Sequence, residues 1–216
     1  MFSGGRDSTL AAVRLARDWD KLILVTVTSG GLGGISRVKH RLAELNTLLP
    51  ANTPWVHVRM PEEAHADGDS KTCLTCHQAY IVAGVIMADK HNAKDTALGY
   101  SGYQSGWAEQ TPYAIKKLTE VLEANGFRLV LPVADLRDKD DARRELLSNR
   151  LSEDALEQRC IRQIVDPELK GESLETEVNK WSSDLSSAIT MRGSLPLEIA
   201  AEHQLNDFCV TNVSHS

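Results

Sequence analysis

The sequence lacks any run of apolar residues long enough to cross a lipid bilayer, which takes about 18 in succession. Its first residues also lack the basic segment and apolar stretch that mark a secretory signal. Both absences argue against a membrane-spanning or exported protein. They predict a cytoplasmic chain with no membrane partner.

Aromatic residues are scarce, at 5%, and positive charge is in deficit. The 24 Lys and Arg face 30 Asp and Glu, which gives a net charge of -6. The whole chain therefore repels polyanions, so a large nucleic-acid interface is disfavoured and only a local basic patch is left open. The remaining composition is that of an ordinary globular protein and predicts one main domain with a small appendage.

Cysteine is limited to four residues, and two of them form the close pair Cys73 and Cys76 in "CLTC". In a cytoplasmic chain such a pair is typical of metal binding or redox chemistry rather than of a disulfide. With Cys160 as third ligand it predicts a metal site, either structural zinc or a three-cysteine iron-sulfur cluster. The fourth ligand, His77 or Cys209, stays open. So does a site without metal, in which the pair lies in a helix-capping turn.

Short β-branched segments alternate with helical patterns through residues 1–150. The predicted strands are "KLILVTVTS", "WVHVRM", "DTALGY" and "FRLVLPV". The predicted helices are residues 7–18, "SRVKHRLAELNTLL", "CHQAYIVAGVIMADKHN", "PYAIKKLTEVLEANG" and "RDKDDARRELLSNRL". Helical crossovers of this length join parallel strands, so the pattern predicts a doubly wound, mainly parallel α/β sheet of Rossmann-like type.

The pattern of residues 151–216 predicts a helical C-terminal extension that caps this domain. The expected helices are "SEDALEQRCIRQI", "ESLETEVNKWSSDLSSAI" and "LPLEIAAEHQ", and "DFCVTNV" has the pattern of a strand. No internal repeat or low-complexity tract interrupts the chain.

The stretch "SGGRDST" follows directly on Met1 and Phe2, which form at most a stub of a first strand. In α/β sheets of this kind ligands bind where a strand leads through a loop into a helix. A glycine pair lets successive N–H groups converge on an anion, and the following helix start adds its positive end. The stretch predicts a phosphate or pyrophosphate site. A simple tight turn, with Asp7 capping the helix, is the alternative.

"SGGRDST" resembles the signature of the PP-loop ATP pyrophosphatases, a branch of the adenine nucleotide alpha hydrolase-like superfamily. The resemblance covers residues 2–160, closely at the loop and loosely elsewhere. It implies an enzyme that cleaves ATP between the α and β phosphates and attaches AMP to a carbonyl oxygen of the substrate. Pyrophosphate leaves, and a nitrogen or sulfur nucleophile then displaces AMP.

The resemblance also implies roles for particular residues. Asp7, Arg6 and Lys139, the last in "LPVADLRDKD", would be catalytic, and Asp7 would help to hold Mg²⁺. The implied nucleotide-binding residues are Ser3, Gly4, Gly5, Arg6, Asp7, Ser8 and Thr9 for pyrophosphate, Thr28 and Ser29 for adenosine, and Gly99 and Tyr100 in "LGY" beside the nucleotide.

Two branches of this family resemble the chain in part. The 7-cyano-7-deazaguanine synthases of queuosine biosynthesis share "GGRDST", and "SGYQSGWAEQTPYAIKKL" resembles their Ser-Gly-Tyr stretch and the helix that follows it. They differ in carrying four clustered cysteines near the C-terminus that bind zinc. The tRNA thiolation enzymes share a Cys-x-x-Cys pair and a later third cysteine that hold a [4Fe-4S] cluster, but they add a basic RNA-binding module.

The acidic balance favours the first branch, because RNA binding depends on positive charge. The leading hypothesis is therefore ATP-dependent activation of a nucleobase-type carbonyl or carboxylate for nitrogen incorporation. The first alternative is sulfur transfer to tRNA. An alternative of another class is a nucleotide-binding regulatory or defence-associated protein without turnover. A homodimer is left open.

Overall fold

The computed structural model describes residues 1–29, 31–60, 72–160 and 169–209. The helices are α1 (Arg6–Asp18), α2 (Ile35–Leu45), α3 (Leu74–Lys90), α4 (Pro112–Ala124), α5 (Lys139–Ser148) and α6 (Gly171–Thr190). The strands are β1 (Leu24–Thr28), β2 (Leu32–Gly33), β3 (Pro54–Arg59), β4 (Asp95–Ala97), β5 (Arg128–Val130), β6 (Arg159–Cys160) and β7 (Glu198–Gln204). No helix in these ranges has the length and apolar character that a bilayer crossing requires.

The strands form two parallel pairs that Met1 and Phe2 join. β1 lies parallel to β3, and β4 lies parallel to β5. The Phe2 N–H donates to the Val25 carbonyl at 2.7 Å, and the Met1 amine donates to the Ala97 carbonyl at 2.6 Å. The stub of the first strand thus lies between β1 and β4 and carries the loop that follows it.

Helices cover both faces of this sheet. On one face α1, α2 and α5 pack around Phe2 and Trp55 in a single buried cluster. On the other face α3, α4 and α6 form a second cluster, and α3 also packs on the apolar side chains of β1 and β3. The doubly wound α/β fold predicted from the alternating pattern is confirmed.

The prediction of a helix in "LPLEIAAEHQ" is wrong, because residues 198–204 form strand β7. This strand pairs antiparallel with β3 and extends the sheet at that edge. The segment has helix-compatible spacing, but pairing with an open strand edge satisfies its backbone and overrides the local preference. The C-terminal part therefore contributes a strand as well as the confirmed helix α6. The predicted strand "DFCVTNV" lies mostly outside the described residues.

The helix predicted over "SEDALEQRCIRQI" is also wrong as far as the structure describes it. Residues 152–158 are irregular, β6 follows at Arg159–Cys160, and residues 161–168 lie outside the described part. Arginine side chains donate hydrogen bonds to the backbone carbonyls of this segment instead. A division at residue 150 stays a prediction.

Helix boundaries follow the expected end signals in one case and depart from them in another. Pro112 begins α4, the Thr111 hydroxyl accepts the Ala114 N–H, and Gly126 just beyond the end has φ +80°. In contrast, α2 begins one residue before Ser36, and Gly34 with φ +88° precedes it in place of a side-chain cap.

Candidate functional site

A cavity of about 480 Å³ lies at the carboxyl ends of the central strands, directly over the loop at residues 3–8. Open α/β sheets bind ligands at this edge. Eight of the residues predicted from sequence line it: Ser3, Gly5, Arg6, Asp7, Ser8, Gly99, Tyr100 and Lys139. The fold therefore brings the loop, the "LGY" segment and the start of α5 to one place.

Gly4 meets conditions that other residues would not tolerate, and Gly5 leads from it into the helix. Gly4 has φ +82°, in the left-handed region, and a Cβ there would lie 2.9 Å from the Leu156 carbonyl oxygen. Gly5 precedes α1 in an extended conformation, and in the described structure no side chain caps this helix start. The first N–H groups of α1 consequently point toward the cavity edge as donors for an anion.

Hydroxyl groups fix the shape of the loop from within. The Ser3 and Ser8 hydroxyls lie 2.9 Å apart, and the Ser3 hydroxyl accepts the Gly5 N–H at 3.2 Å. The Thr9 hydroxyl donates to the Gly5 carbonyl at 2.6 Å and is fully buried. Thr9 therefore braces the loop from the helix side, while Ser3 and Ser8 face the cavity.

Asp7 is held by a tyrosine that comes from a distant part of the chain. The Tyr103 hydroxyl donates to both carboxylate oxygens of Asp7, at 2.7 and 2.9 Å, and Ser101 lies at 3.5 Å. Burial raises the pKa of Asp7, and the hydrogen bonds from Tyr103 and Ser101 partly oppose that rise. Burial and the Asp7 carboxylate together raise the pKa of Tyr103, which keeps its hydroxyl protonated as a donor.

Tyr103→Phe should raise the pKa of the Asp7 carboxyl further. The substitution removes the hydroxyl whose hydrogen bond favours the charged form and leaves the desolvation in place, so the direction is upward. Carbon-13 NMR titration of the Asp7 carboxyl measures this shift. Tyr113→Phe, which removes an exposed hydrogen bond to Asn179, is the matched control and should leave Asp7 unchanged. An unmoved Asp7 pKa in Tyr103→Phe would contradict the arrangement.

Residues 152–160, here called the strap, run across the loop and are held by three arginines through backbone carbonyls. Arg6 Nε donates to the Glu153 carbonyl at 2.7 Å, and Arg37 Nε donates to the Glu157 carbonyl at 3.0 Å. The fully buried Arg41 donates to the carbonyls of residues 152 and 154 at 3.0 and 2.6 Å. These bonds replace the helical ones that the sequence pattern predicts.

The strap places two polar side chains at the cavity. The Glu157 carboxylate lies 3.1 Å from where a Cβ of Gly5 would stand, and its charge contributes to the raised pKa of Asp7. The Gln158 amide donates to the Val27 carbonyl at 3.0 Å and accepts the Thr28 hydroxyl at 2.6 Å. Local sequence patterns carried no signal for either residue, since both depend on contacts over about 130 positions.

Four of the predicted residues lie in distinct surroundings: Lys139 and Gly99 line the cavity, whereas Thr28 and Ser29 are not among its lining residues. Lys139 is exposed at the first turn of α5 and borders the cavity. Thr28 bonds Gln158 and His57 at the end of β1, and Ser29 beside it is 1% exposed. Gly99 packs against the start of α1, where a Cβ would lie 2.7 Å from the Ser8 nitrogen. Gly99 therefore lets the "LGY" segment and the loop approach each other.

A buried carboxylate and an imidazole lie behind Tyr100, and sequence reasoning missed their pairing. His77 Nε2 lies 3.3 Å from a carboxylate oxygen of Glu109, which is 2% exposed, and His77 Nδ1 lies 2.9 Å from the Tyr100 hydroxyl. Burial, with the charge of Glu109, raises the pKa of Tyr100. The arrangement fixes the Tyr100 ring at the cavity wall with its hydroxyl protonated.

The three predicted cysteine ligands lie on two elements. Cys73 precedes α3, Cys76 lies in its first turn, and Cys160 lies in β6. Burial raises the pKa of Tyr80, and charge on all three cysteines adds to that rise. Nevertheless, within the ranges that the structure describes, no three His, Cys, Asp or Glu side chains are placed to hold one ion. The predicted site at Cys73, Cys76 and Cys160 has no geometric support there.

No family model matches the chain, and no curated protein matches its sequence. Its fold is shared with a solved structure. The crystal structure of a 4-thiouridine synthetase–RNA complex with bound ATP superimposes with a TM-score of 0.58 at 14% sequence identity. The match covers 92% of this chain and 54% of that one, so this chain spans about half the length of the synthetase. The likeness establishes the fold.

Proposed function

We propose that the protein is a PP-loop ATP pyrophosphatase that uses Mg²⁺-ATP to adenylate a nucleobase-type carbonyl or carboxylate. The observation that carries this proposal is the loop at residues 3–9. It combines a left-handed Gly4, an uncapped helix start within the described chain and the cavity-facing Asp7. Backbone donors at a helix start are suited to a pyrophosphate leaving group. The shared fold with an ATP-bound synthetase supports the same class.

The residues of the loop fit a magnesium ion that arrives with the nucleotide. Mg²⁺ commonly takes one or two protein carboxylates and completes its shell with phosphate oxygens and water. Asp7 supplies one carboxylate in the cavity, held by Tyr103 in a fixed orientation. When bound, the ion would neutralise charge that develops on the departing pyrophosphate. Arg6 and Lys139 are the cations that border the same cavity.

The first reaction, on this proposal, leaves AMP on the substrate oxygen and pyrophosphate on the loop. Adenosine would lie toward the end of β1, where Gln158 now occupies the Val27 carbonyl. The second reaction would be attack by a nitrogen donor, as in 7-cyano-7-deazaguanine synthases, which suits an acidic chain with a small substrate. No step of the scheme is assigned to zinc, since in the described ranges no three His, Cys, Asp or Glu side chains are placed to hold one ion.

Sulfur transfer to tRNA is a second candidate, favoured by one observation. Charge on three cysteines adds to the rise that burial causes in the pKa of Tyr80, and Tyr80 lines the same cavity as the loop. On this candidate, sulfide would form a C–S bond at the adenylated carbonyl carbon while the C–O bond to AMP breaks and AMP leaves. An iron-sulfur cluster at Cys73, Cys76 and Cys160 stays a prediction, and no step is assigned to it.

Pyrophosphate release under two conditions tests the proposal and separates its two forms. We expect release from Mg²⁺-ATP with carboxy-deazaguanine plus ammonium, and little with bulk tRNA plus sulfide. Release only with tRNA and sulfide would select sulfur transfer. Binding of ATP without release under either condition would indicate a regulatory or defence-associated nucleotide-binding protein. Zinc, iron and sulfide analysis of the purified chain gives an independent check on the cysteines.

Glu157→Gln should lower the KM for ATP about threefold to tenfold, on the order of 1 kcal/mol. The carboxylate at the edge of the loop repels phosphate, and the amide keeps the backbone bond to Arg37. The matched control is Glu153→Gln on the same strap, whose exposed carboxylate makes no loop contact in the described structure. Steady-state kinetics measure both variants. A KM that rises in Glu157→Gln would show that the carboxylate assists binding.

A further inference from the structure

Part of the lining of the cavity over the loop consists of aromatic rings and primary amides. These side chains come from α3 and from the segment between β4 and α4: Tyr80, Tyr100, Gln104 and Gln110. Pockets of this composition suit small planar ligands, because rings cover the flat faces and a few polar groups bind the edges. The orientation of the two amides therefore decides which ligand edge can bind here.

A backbone donor fixes the orientation of the Gln110 amide. The Ser101 N–H can only donate, and its nitrogen lies 3.3 Å from Gln110 Oε1. The amide oxygen of Gln110 is therefore the atom that faces Ser101, and Gln110 Nε2 points away from it. Gln110 is 8% exposed, so its partners in the protein rather than solvent determine this orientation.

The Gln110 amide in turn fixes the orientation of Gln104. Gln110 Nε2 donates to Gln104 Oε1 at 2.8 Å, so the oxygen of the Gln104 amide is already engaged. The Gln104 Nε2 group makes no hydrogen bond to any residue that the structure describes, and Gln104 is a half-buried part of the cavity lining. Gln104 therefore offers the N–H donors of its amide to a ligand and no acceptor.

The segment that carries Gln104 packs closely against its surroundings beside Asp7. Gly102 lies against the backbone, because a Cβ there would be 2.8 Å from the Leu136 carbonyl oxygen. The Tyr103 N–H donates to the same carbonyl at 3.2 Å, and the Tyr103 hydroxyl donates to the Asp7 carboxylate. Gln104 follows directly in the chain. Its amide and the Asp7 carboxylate are thus positioned by one short segment at one cavity.

We infer that Gln104 selects the substrate by donating hydrogen bonds to a carbonyl or carboxylate oxygen of a small planar heterocycle. The inference rests on the proposed function, which supplies the class of ligand. On that function, this oxygen or its carboxylate partner forms a bond to the α phosphorus of ATP. The bond from that phosphorus to the bridging oxygen breaks, and pyrophosphate leaves. Gln104 orients the group that attacks.

Selectivity follows from the fixed direction of the Gln104 amide. An amino group at the same position of the ligand would bring its N–H donors against those of Gln104. Gln104 cannot turn over to accept them, because its own NH₂ group would then face the Gln110 NH₂ group. Such a mismatch leaves polar groups unpaired in a partly buried site, which discriminates strongly between ligands. Oxo and carboxylate heterocycles should bind, and their amino counterparts should be rejected.

Calorimetric titration of the full chain with carboxy-deazaguanine, in the absence of ATP, tests the inference. Gln104→Met keeps the length of the side chain but removes the donors, so it should weaken binding about tenfold. Gln104→Glu keeps an acceptor for Gln110 Nε2 and replaces the free donor by an anionic oxygen, so it should weaken binding about a hundredfold. Gln204→Glu adds the same charge at an exposed position outside the cavity lining and should bind as the parent does.

The aminomethyl counterpart of the same base separates recognition by Gln104 from a general loss of binding. It carries a cationic donor where carboxy-deazaguanine carries a carboxylate. In Gln104→Glu the preference for the carboxylate form over the aminomethyl form should fall at least about a hundredfold. The preference should be unchanged in Gln204→Glu.

Two results would overturn the inference: equal affinity for carboxy-deazaguanine in the parent and both Gln104 variants, or no binding of this base by the parent. Pyrophosphate release is measured separately on the same samples. Weakened binding in the Gln104 variants with no release from the parent would support the role of Gln104 and contradict the proposed function. Release from the parent with unchanged affinity in the variants would support the proposed function and contradict the role of Gln104.

Discussion

Asp7→Asn should reduce pyrophosphate release at least about a thousandfold while leaving the fold intact. On the proposed function, the carboxylate would be the anionic oxygen ligand of Mg²⁺, and the Tyr103 hydroxyl holds it through a hydrogen bond shared between its two oxygens. An amide keeps the size but loses the charge that Mg²⁺ requires, and losses of this order follow removal of such a group. Steady-state measurement of pyrophosphate with saturating ATP tests this expectation.

The pH dependence of Tm in Asp7→Asn shows whether a loss of activity comes from loss of the carboxylate or from misfolding. Burial raises the folded-state pKa of Asp7 above its ordinary value of 3.8, so ionisation costs more free energy in the folded chain than in the unfolded one. That cost is absent below the unfolded pKa and complete above the folded pKa. Asp7→Asn should therefore have a Tm at or above the parent value at pH 7, with no such advantage near pH 3.

Asp18→Asn is the matched control for this experiment. It changes an exposed aspartate at the other end of the same helix, away from the cavity. Its pyrophosphate release should equal that of the parent. Turnover retained in Asp7→Asn would mean that the loop does not act through its carboxylate.

Gly99→Ala should destabilise the protein by about 3 kcal/mol, or about 10 °C in Tm, and disturb the loop at the same time. A Cβ at this position would lie 2.7 Å from the Ser8 nitrogen and 2.9 Å from the Asp7 carbonyl carbon. Both are backbone atoms, so no side-chain rotation relieves the overlap. The start of α1 must move, and a shift of about 1 Å in the loop should reduce turnover on the order of a hundredfold.

Gly193→Ala provides the control for the glycine effect. No heavy atom lies within 4 Å of a Cβ built at Gly193. Thermal unfolding should show a Tm within about 2 °C of the parent protein. If Gly99→Ala unfolded at the parent temperature, the close approach between the "LGY" segment and the loop would be incorrect.

The local sequence pattern was sufficient to predict the loop and most of the alternation of strands and helices. Gly4 and Gly5 signal a conformation that depends on a few consecutive residues, and helix α4 has its signals at Pro112 and Gly126. These features need no knowledge of the rest of the chain. They were predicted for that reason.

Features that depend on distant contacts were missed. Tyr103 and Asp7 are 96 positions apart, and Arg41 binds carbonyls more than 110 positions away. Pairing of β7 with β3 likewise joins segments far apart in the chain, and it overrode a helix-compatible pattern. The local helix or strand propensity of a segment does not depend on which distant side chain or strand edge will bind its backbone. The strap and β7 were therefore both predicted as helices.

The most direct test of the central claim is the identity of the products formed from α-labelled ATP. The full chain with Mg²⁺ and the nitrogen- or sulfur-transfer substrates should give labelled AMP and an equal amount of pyrophosphate, which is measured separately because it carries no label. Both should fall at least about a thousandfold with Asp7→Asn. Formation of ADP and phosphate, or ATP binding with no cleavage under both conditions, would contradict the assignment of the loop as a pyrophosphate site in catalysis.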